Sequence, residues 1–266
     1  MPQRGKGRAV NATRDLGWRN ERTTQGLLAL AIAMAWIYLA WMAWGMQHMD
    51  AQVILMPAMS DWGAVDLALV WVMWALMMAG MMLPSAAPML LAFQSLSRRV
   101  SPVRPASHTL AFAGGYLAVW AAFSAAASVL QWGLLQWRLV SPMMVATSAW
   151  LAGALLCLAG AYQFTRFKAA CLRLCQAPLA FLVGQWRPGP GGAWSMGWRH
   201  GADCLGCCWA LMALLFVLGV MNLWWIVALT LFVLAEKSLP AARWLPRASG
   251  AALLAWGLWL ILRAAV

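Results

Sequence analysis

Five of the six cysteines fall in two short segments: Cys171 and Cys175, then Cys204, Cys207 and Cys208 within Cys204-Leu205-Gly206-Cys207-Cys208-Trp209. Thiolates are soft ligands and redox groups, so this grouping is where chemistry is expected. The i, i+3, i+4 spacing of Cys204, Cys207 and Cys208 puts them on one face of a helix, and His200 and Met212 extend that stripe by one turn each way. Cys171 and Cys175 are spaced i, i+4 and face one way from a neighbouring segment. Should that segment fold back, four or five sulfurs converge. Such a set suits Cu(I), Zn(II) or an iron–sulfur cluster, with copper favoured. The competing account is packing, because cysteine behaves as a small apolar residue in membrane helices. Cys157, alone in mid-stretch, is read that way. A structural disulfide is not expected where the cytosol keeps thiols reduced.

Charged and thioether side chains add to the picture. Glu236 ends an apolar stretch, where a carboxylate is expensive and needs a partner. It is placed near Asp203 or the cysteines as a second-shell group or proton carrier, with Lys168 as a further candidate, while Lys237 snorkels to the headgroups. An interfacial salt bridge is the plainer reading of Glu236. Met73, Met77 and Met81 recur every four residues, with Met78 and Met82 beside them and Pro84 following. Met46, His48, Met49, Asp50, Met56, Met59 and Asp61 make a soft-ligand-rich outer loop. Thioethers prefer Cu(I), so outer loop, Met stripe and inner thiols describe a copper path; core filling explains a Met stripe equally well.

The elements that position these groups are membrane helices. The chain is 64% hydrophobic and 10% charged, with mean hydropathy +0.72, which excludes an ordinary soluble domain. Seven apolar stretches, about residues 26–47, 67–92, 109–131, 143–163, 203–221, 223–239 and 249–265, approach the roughly 20 residues a spanning helix needs. No alternation suggests a barrel. The expectation is therefore an all-α, polytopic bundle of about seven spans, the fifth and sixth forming a tight hairpin.

The net charge of +12 reads as topology and does not call for nucleic acid. The head and the even-numbered loops hold 17 of the 19 basic residues, a positive-inside pattern that puts the N-terminus in the cytoplasm and the tail outside. Residues 1–25 read as a disordered basic head and 26–266 as one membrane domain. The first stretch acts as a signal anchor, since no small-residue cleavage site follows it. Many of the 20 tryptophans stand near span ends, among them Trp41, Trp44, Trp62, Trp132, Trp137, Trp186, Trp224 and Trp225, as an interfacial belt would have them. Residues 166–175 suit an amphipathic helix on the inner leaflet, and residues 187–192, with two prolines and three glycines, read as a flexible joint. Gly114-Gly115 and the alanines of 121–127 give the third span a face for close packing.

No phosphate-cradling motif, His pair or Ser/His/Asp set is present, so no catalytic residue is assigned. The chain resembles the bacterial family of predicted metal-binding integral membrane proteins long classed as a domain of unknown function. The resemblance covers roughly residues 60–265. It rests on Trp74-Ala75-Leu76-Met77-Met78-Ala79-Gly80-Met81-Met82-Leu83-Pro84, on Tyr162-Gln163-Phe164-Thr165-Arg166-Phe167-Lys168 leading to Cys171 and Cys175, and on the stretch from Gly201 through Trp209, followed by Gly219-Val220-Met221-Asn222 and Glu236-Lys237. It implies a multi-pass protein of the bacterial inner membrane that binds metal, without naming a reaction. The reading is a copper-handling protein that moves the ion or delivers it to a partner protein. A thiol-redox enzyme coupled to a quinone, and an accessory subunit of a larger membrane complex, are the alternatives.

Overall fold

The structure, a computed structural model, describes residues 4–47, 62–100, 105–137, 139, 148–220, 222–239 and 244–265, with side chains in the first helix from 23 to 45. Among the described residues every regular element is a helix. In chain order these are α1 (Arg4–Gln47), α2 (Ala64–Val100), α3 (Pro105–Gln136), α4 (Ala149–Gln163), α5 (Arg166–Gln176), α6 (Pro178–Gln185), α7 (Gly189–Ala213), α8 (Leu215–Leu218), α9 (Leu223–Ser238) and α10 (Leu245–Ala265). The expected helical bundle is the observed architecture. Among the described residues five helices are long and apolar enough to cross a membrane, or six if α5 and α6, bent by 88° at their junction, count as one broken span. Within the expected fourth and sixth spans the described residues form α4, of 15 residues, and α9, of 16. At 1.5 Å per residue these reach about 22–24 Å, against a hydrocarbon core of about 30 Å.

Contacts between helices give their directions. Met42 of α1 meets Met73 and Met77 of α2 around one cavity, and Thr24 meets Gln94 at the other end, so α1 and α2 are antiparallel. Trp71 donates to the Ala121 carbonyl and Tyr116 to that of Met82, which makes α2 and α3 antiparallel. The α3–α7 pair is parallel: Gly197 abuts the Phe112 backbone and Gly201 abuts Val119. Glycine is required there, because a Cβ on Gly197 or Gly115 would enter the partner's backbone. This is the close packing that the small residues of the third stretch led one to expect. The α4–α10 pair is antiparallel, with Gly153 against Gly257 and Ile261 and Gly160 against Gly250 and Leu254. Cys157 packs on Gly257 in that seam, in the structural role expected of it.

Helix α1 runs from Arg4 to Gln47, with no proline in it. One local expectation changes. Residues 187–192 do not form a flexible joint, because α7 begins at Gly189 with Pro190 in its first turn. Proline suits that position, where its missing N–H would have no helical acceptor. Helix α5 packs one face into the bundle. Thr165 caps it by accepting from the Lys168 amide at 3.2 Å, and Lys168, Cys171 and Leu172 are buried.

In α2 the helix continues through Pro84 and Pro88. Proline at 84 removes the partner of the Gly80 carbonyl, and the Trp36 indole of α1 donates to that carbonyl at 3.2 Å. Large apolar side chains remain exposed around the outside, including Trp41, Trp44, Trp132, Trp137 and Trp224. An apolar exterior of that extent is what lipid, not water, accommodates.

Candidate metal centre

Because α7 starts at Gly189, the stripe of His200, Cys204, Cys207, Cys208 and Met212 lies in the interior of a long helix. All five side chains are buried. Cys207 and Cys208 each donate a thiol proton back to the Cys204 carbonyl, at 3.0 and 2.9 Å. The Cys204 sulfur receives Lys237 Nζ from α9 at 2.9 Å and stands 3.2 Å from the Tyr116 hydroxyl of α3. Lys237 also donates to Ser85 Oγ of α2 at 3.0 Å. From the same helix, Met82 Sδ lies 4.0 Å from Cys208 Sγ. Helices α2, α3 and α9 therefore converge on this stripe of α7.

The second cysteine segment reaches this place. The Cys175 side chain lies near those of Cys204 and Cys207, close enough for the thiols to interact electrostatically. Cys171 sits one turn earlier against Gly206, where a Cβ would come within 2.9 Å of its sulfur. Tyr162 ties the two segments further by donating to the Gly206 carbonyl. The sulfurs of two separate stretches of chain thus meet around one turn of α7, and all six cysteines are free thiols.

Among the described residues no three His, Cys, Asp or Glu side chains are arranged to hold an ion as they stand. The physical reason is visible in the rotamers: a protonated thiol inside a helix satisfies itself on the carbonyl one turn back, and Cys207 and Cys208 do so. Turning those two side chains away from the Cys204 carbonyl is what coordination would require. The donor chemistry is soft, with thiols, the thioethers of Met82 and Met212, and an imidazole. His200 is stacked beside Phe112 and Tyr116, with ring centroids 6.1 and 5.6 Å away, and meets Phe181 edge-on. Its Nδ1 is buried without a hydrogen-bond partner among the described residues.

Several expected placements are corrected. Lys237 turns inward to Cys204 instead of reaching the headgroups, because buried sulfur and hydroxyl partners await it there. Glu236 has Lys168 as its partner: both its oxygens accept from Lys168 Nζ, at 3.0 and 2.8 Å. This ion pair is buried, each side chain being 1% exposed. Gln176 of α5 adds a 2.7 Å hydrogen bond to the Glu236 carbonyl. Asp203 is half-buried, with Oδ2 unpartnered among the described residues. Met77 and Met81 are buried in α2. His48, Met49 and Asp50 lie outside the described residues, as does the side chain of Met46. Sequence reasoning missed Lys237, Tyr116 and Ser85 as neighbours of the thiols. Only Lys237 carried a signal, as an ammonium at the end of an apolar stretch.

A family profile described as PpoB2, a copper chaperone, matches residues 71–260. The chain belongs to the PpoB2 copper-chaperone family. The matched region contains every one of the cysteine, methionine and lysine positions that form the thiol centre, and the three stretches behind the resemblance fall within it. Neither the curated proteins nor the solved structures give a match. Family and architecture together fit a copper-handling protein built to reside in a membrane.

Proposed function

We propose that this protein takes up Cu(I) at the thiol centre of Cys175, Cys204, Cys207 and Cys208, flanked by Cys171, and passes it to a partner protein. The observation that carries this reading is the meeting of Cys175 from α5 with Cys204 and Cys207 from α7, inside the region matched to a copper-chaperone family. Cu(I) prefers soft donors at low coordination number, and thiolates with a neighbouring thioether meet that preference. Lys237 supplies positive charge where thiolate ligands gather negative charge, which offsets the cost of holding them away from water. Met82, Met212 and His200 complete the surroundings, and the orphaned His200 nitrogen is a reserve ligand. Asp203, half-buried in α7 next to Cys204, exchanges protons on loading and release. The positive-inside charge pattern supports a bacterial inner-membrane setting with the thiols reached from the cytoplasmic side.

Elemental analysis of the purified protein tests this directly. Wild-type protein is expected to carry copper, and Cys204→Ser/Cys207→Ser/Cys208→Ser to lose it. Cys175→Ser alone is expected to weaken retention with thermal unfolding unchanged, and Cys157→Ser to leave copper content as in the wild type. Copper at background in the wild type, or equal content in the triple variant, refutes the proposal. A disulfide within the cluster that appears and vanishes with respiratory state, in place of bound copper, would instead support the thiol-redox alternative.

A further inference from the structure

A second group of sulfurs lies in the N-terminal half of α2, about two to three turns before the thiol centre. Met42 of α1 and Met73 and Met77 of α2 line one small cavity together with Tyr38, Leu39, Val220 and Ile226. Its enclosed free space is about 10 Å³, the scale of a single ion or water. Met73, Met77, Leu39, Val220 and Ile226 are buried, and Met42 is half-buried, so the cavity is sealed on the bundle side and reached past Met42. Its walls offer no carboxylate, imidazole or thiol. What they offer is three thioethers from two helices.

We infer that this cavity is a second, all-thioether site for a soft monovalent ion, Cu(I) or its analogue Ag(I), feeding the thiol centre along α2. Three arguments carry it. Thioether sulfur selects Cu(I) over hard and borderline cations, and does so without needing deprotonation. An apolar pocket lined by Leu and Ile could close on itself, whereas here three flexible, polarizable side chains surround residual space. The register continues inward: Met77 and Met81 are one turn apart, and Met82 brings its sulfur 4.0 Å from Cys208 Sγ. From Met73 to Met82 the helix rises only about 14 Å. The direction of affinity is also appropriate, since neutral thioethers hold Cu(I) more loosely than anionic thiolates and so yield it to them. This inference rests on the thiol centre as receiver, but the cavity's own binding is separable from it.

The test is anaerobic Cu(I) titration of the full chain in detergent against a colorimetric Cu(I) chelator. Three proteins are compared: wild type, Met42→Leu/Met73→Leu/Met77→Leu, and Cys175→Ser/Cys204→Ser/Cys207→Ser/Cys208→Ser. Leucine keeps the volume, so the first variant should fold with thermal unfolding close to wild type. Wild type should bind about two Cu(I), tight and weak, and the Leu variant only about one, tight. The Ser variant should keep the weak one. Selenomethionine-labelled wild type at the higher loading should show copper–selenium scattering that falls in the Leu variant, a readout independent of whether the Ser variant folds. Identical stoichiometry, affinities and scattering in wild type and Leu variant overturn the inference. An unchanged Ser variant overturns the thiol centre instead.

Discussion

Lys168 and Glu236 illustrate how a buried charge pair behaves once water is gone. Each side chain has the other as its partner, and removing one leaves an uncompensated charge at a cost of about 3–5 kcal/mol. Glu236→Leu should therefore unfold several degrees early, while Glu236→Leu/Lys168→Met, with both charges replaced by apolar groups, should recover most of the loss. Thermal unfolding of the three proteins in one detergent checks this, and a double variant no better than the single would deny the pairing its role. Lys237 is the contrasting case: its partners are a sulfur and a hydroxyl, so its charge is left for the thiol centre to use. Lys237→Met should weaken Cu(I) retention at the cysteines without the stability loss of Glu236→Leu. Chelator competition is the measurement, and equal retention in wild type and Lys237→Met would remove Lys237 from the site.

The α3–α7 seam decides whether the thiols are positioned at all. Tyr116 reaches Cys204 only because α3 lies close enough for Gly115 and Gly197 to meet backbone on the opposing helix. Gly197→Ala places a methyl into the Phe112 backbone, and such overpacking costs about 1–3 kcal/mol or more. Gly191→Ala meets nothing within 4 Å and serves as the control. The first should lower the unfolding temperature and loosen copper retention together; the second should change neither. The α5–α6 pair has a comparable role on the other flank. Its Thr165 cap and the Tyr162–Gly206 hydrogen bond are what carry Cys175 to α7, and neither is evident from hydropathy.

For the whole molecule, the directions read from side-chain contacts alternate through α1, α2 and α3. The parallel pairing of α3 with α7 and the antiparallel pairing of α4 with α10 extend the alternation. That order is compatible with seven crossings in which α4 and α9 span a locally thinned bilayer and α5–α6 enters without crossing. A reporter fused after residue 266 should then be active only outside, and one inserted at residues 101–104 only inside. A tail reporter active inside would mean that α5–α6 crosses as a further span.

Composition and charge placement alone determined that this chain is a helical membrane protein with a directional bias, because hydrophobic length and lysine–arginine asymmetry act segment by segment and need no partner. The i, i+3, i+4 and i, i+4 spacings likewise determined that each cysteine group shares a face, since helix geometry is local. Tertiary structure decided what those faces meet. That Cys175 reaches Cys204, that Lys237 turns inward while Glu236 pairs with Lys168, and that Met42 joins Met73 and Met77 all depend on helix crossings set by glycine contacts and capped bends far apart in the chain. Such contacts leave no periodic trace in the sequence, because they are properties of pairs of helices and not of either one.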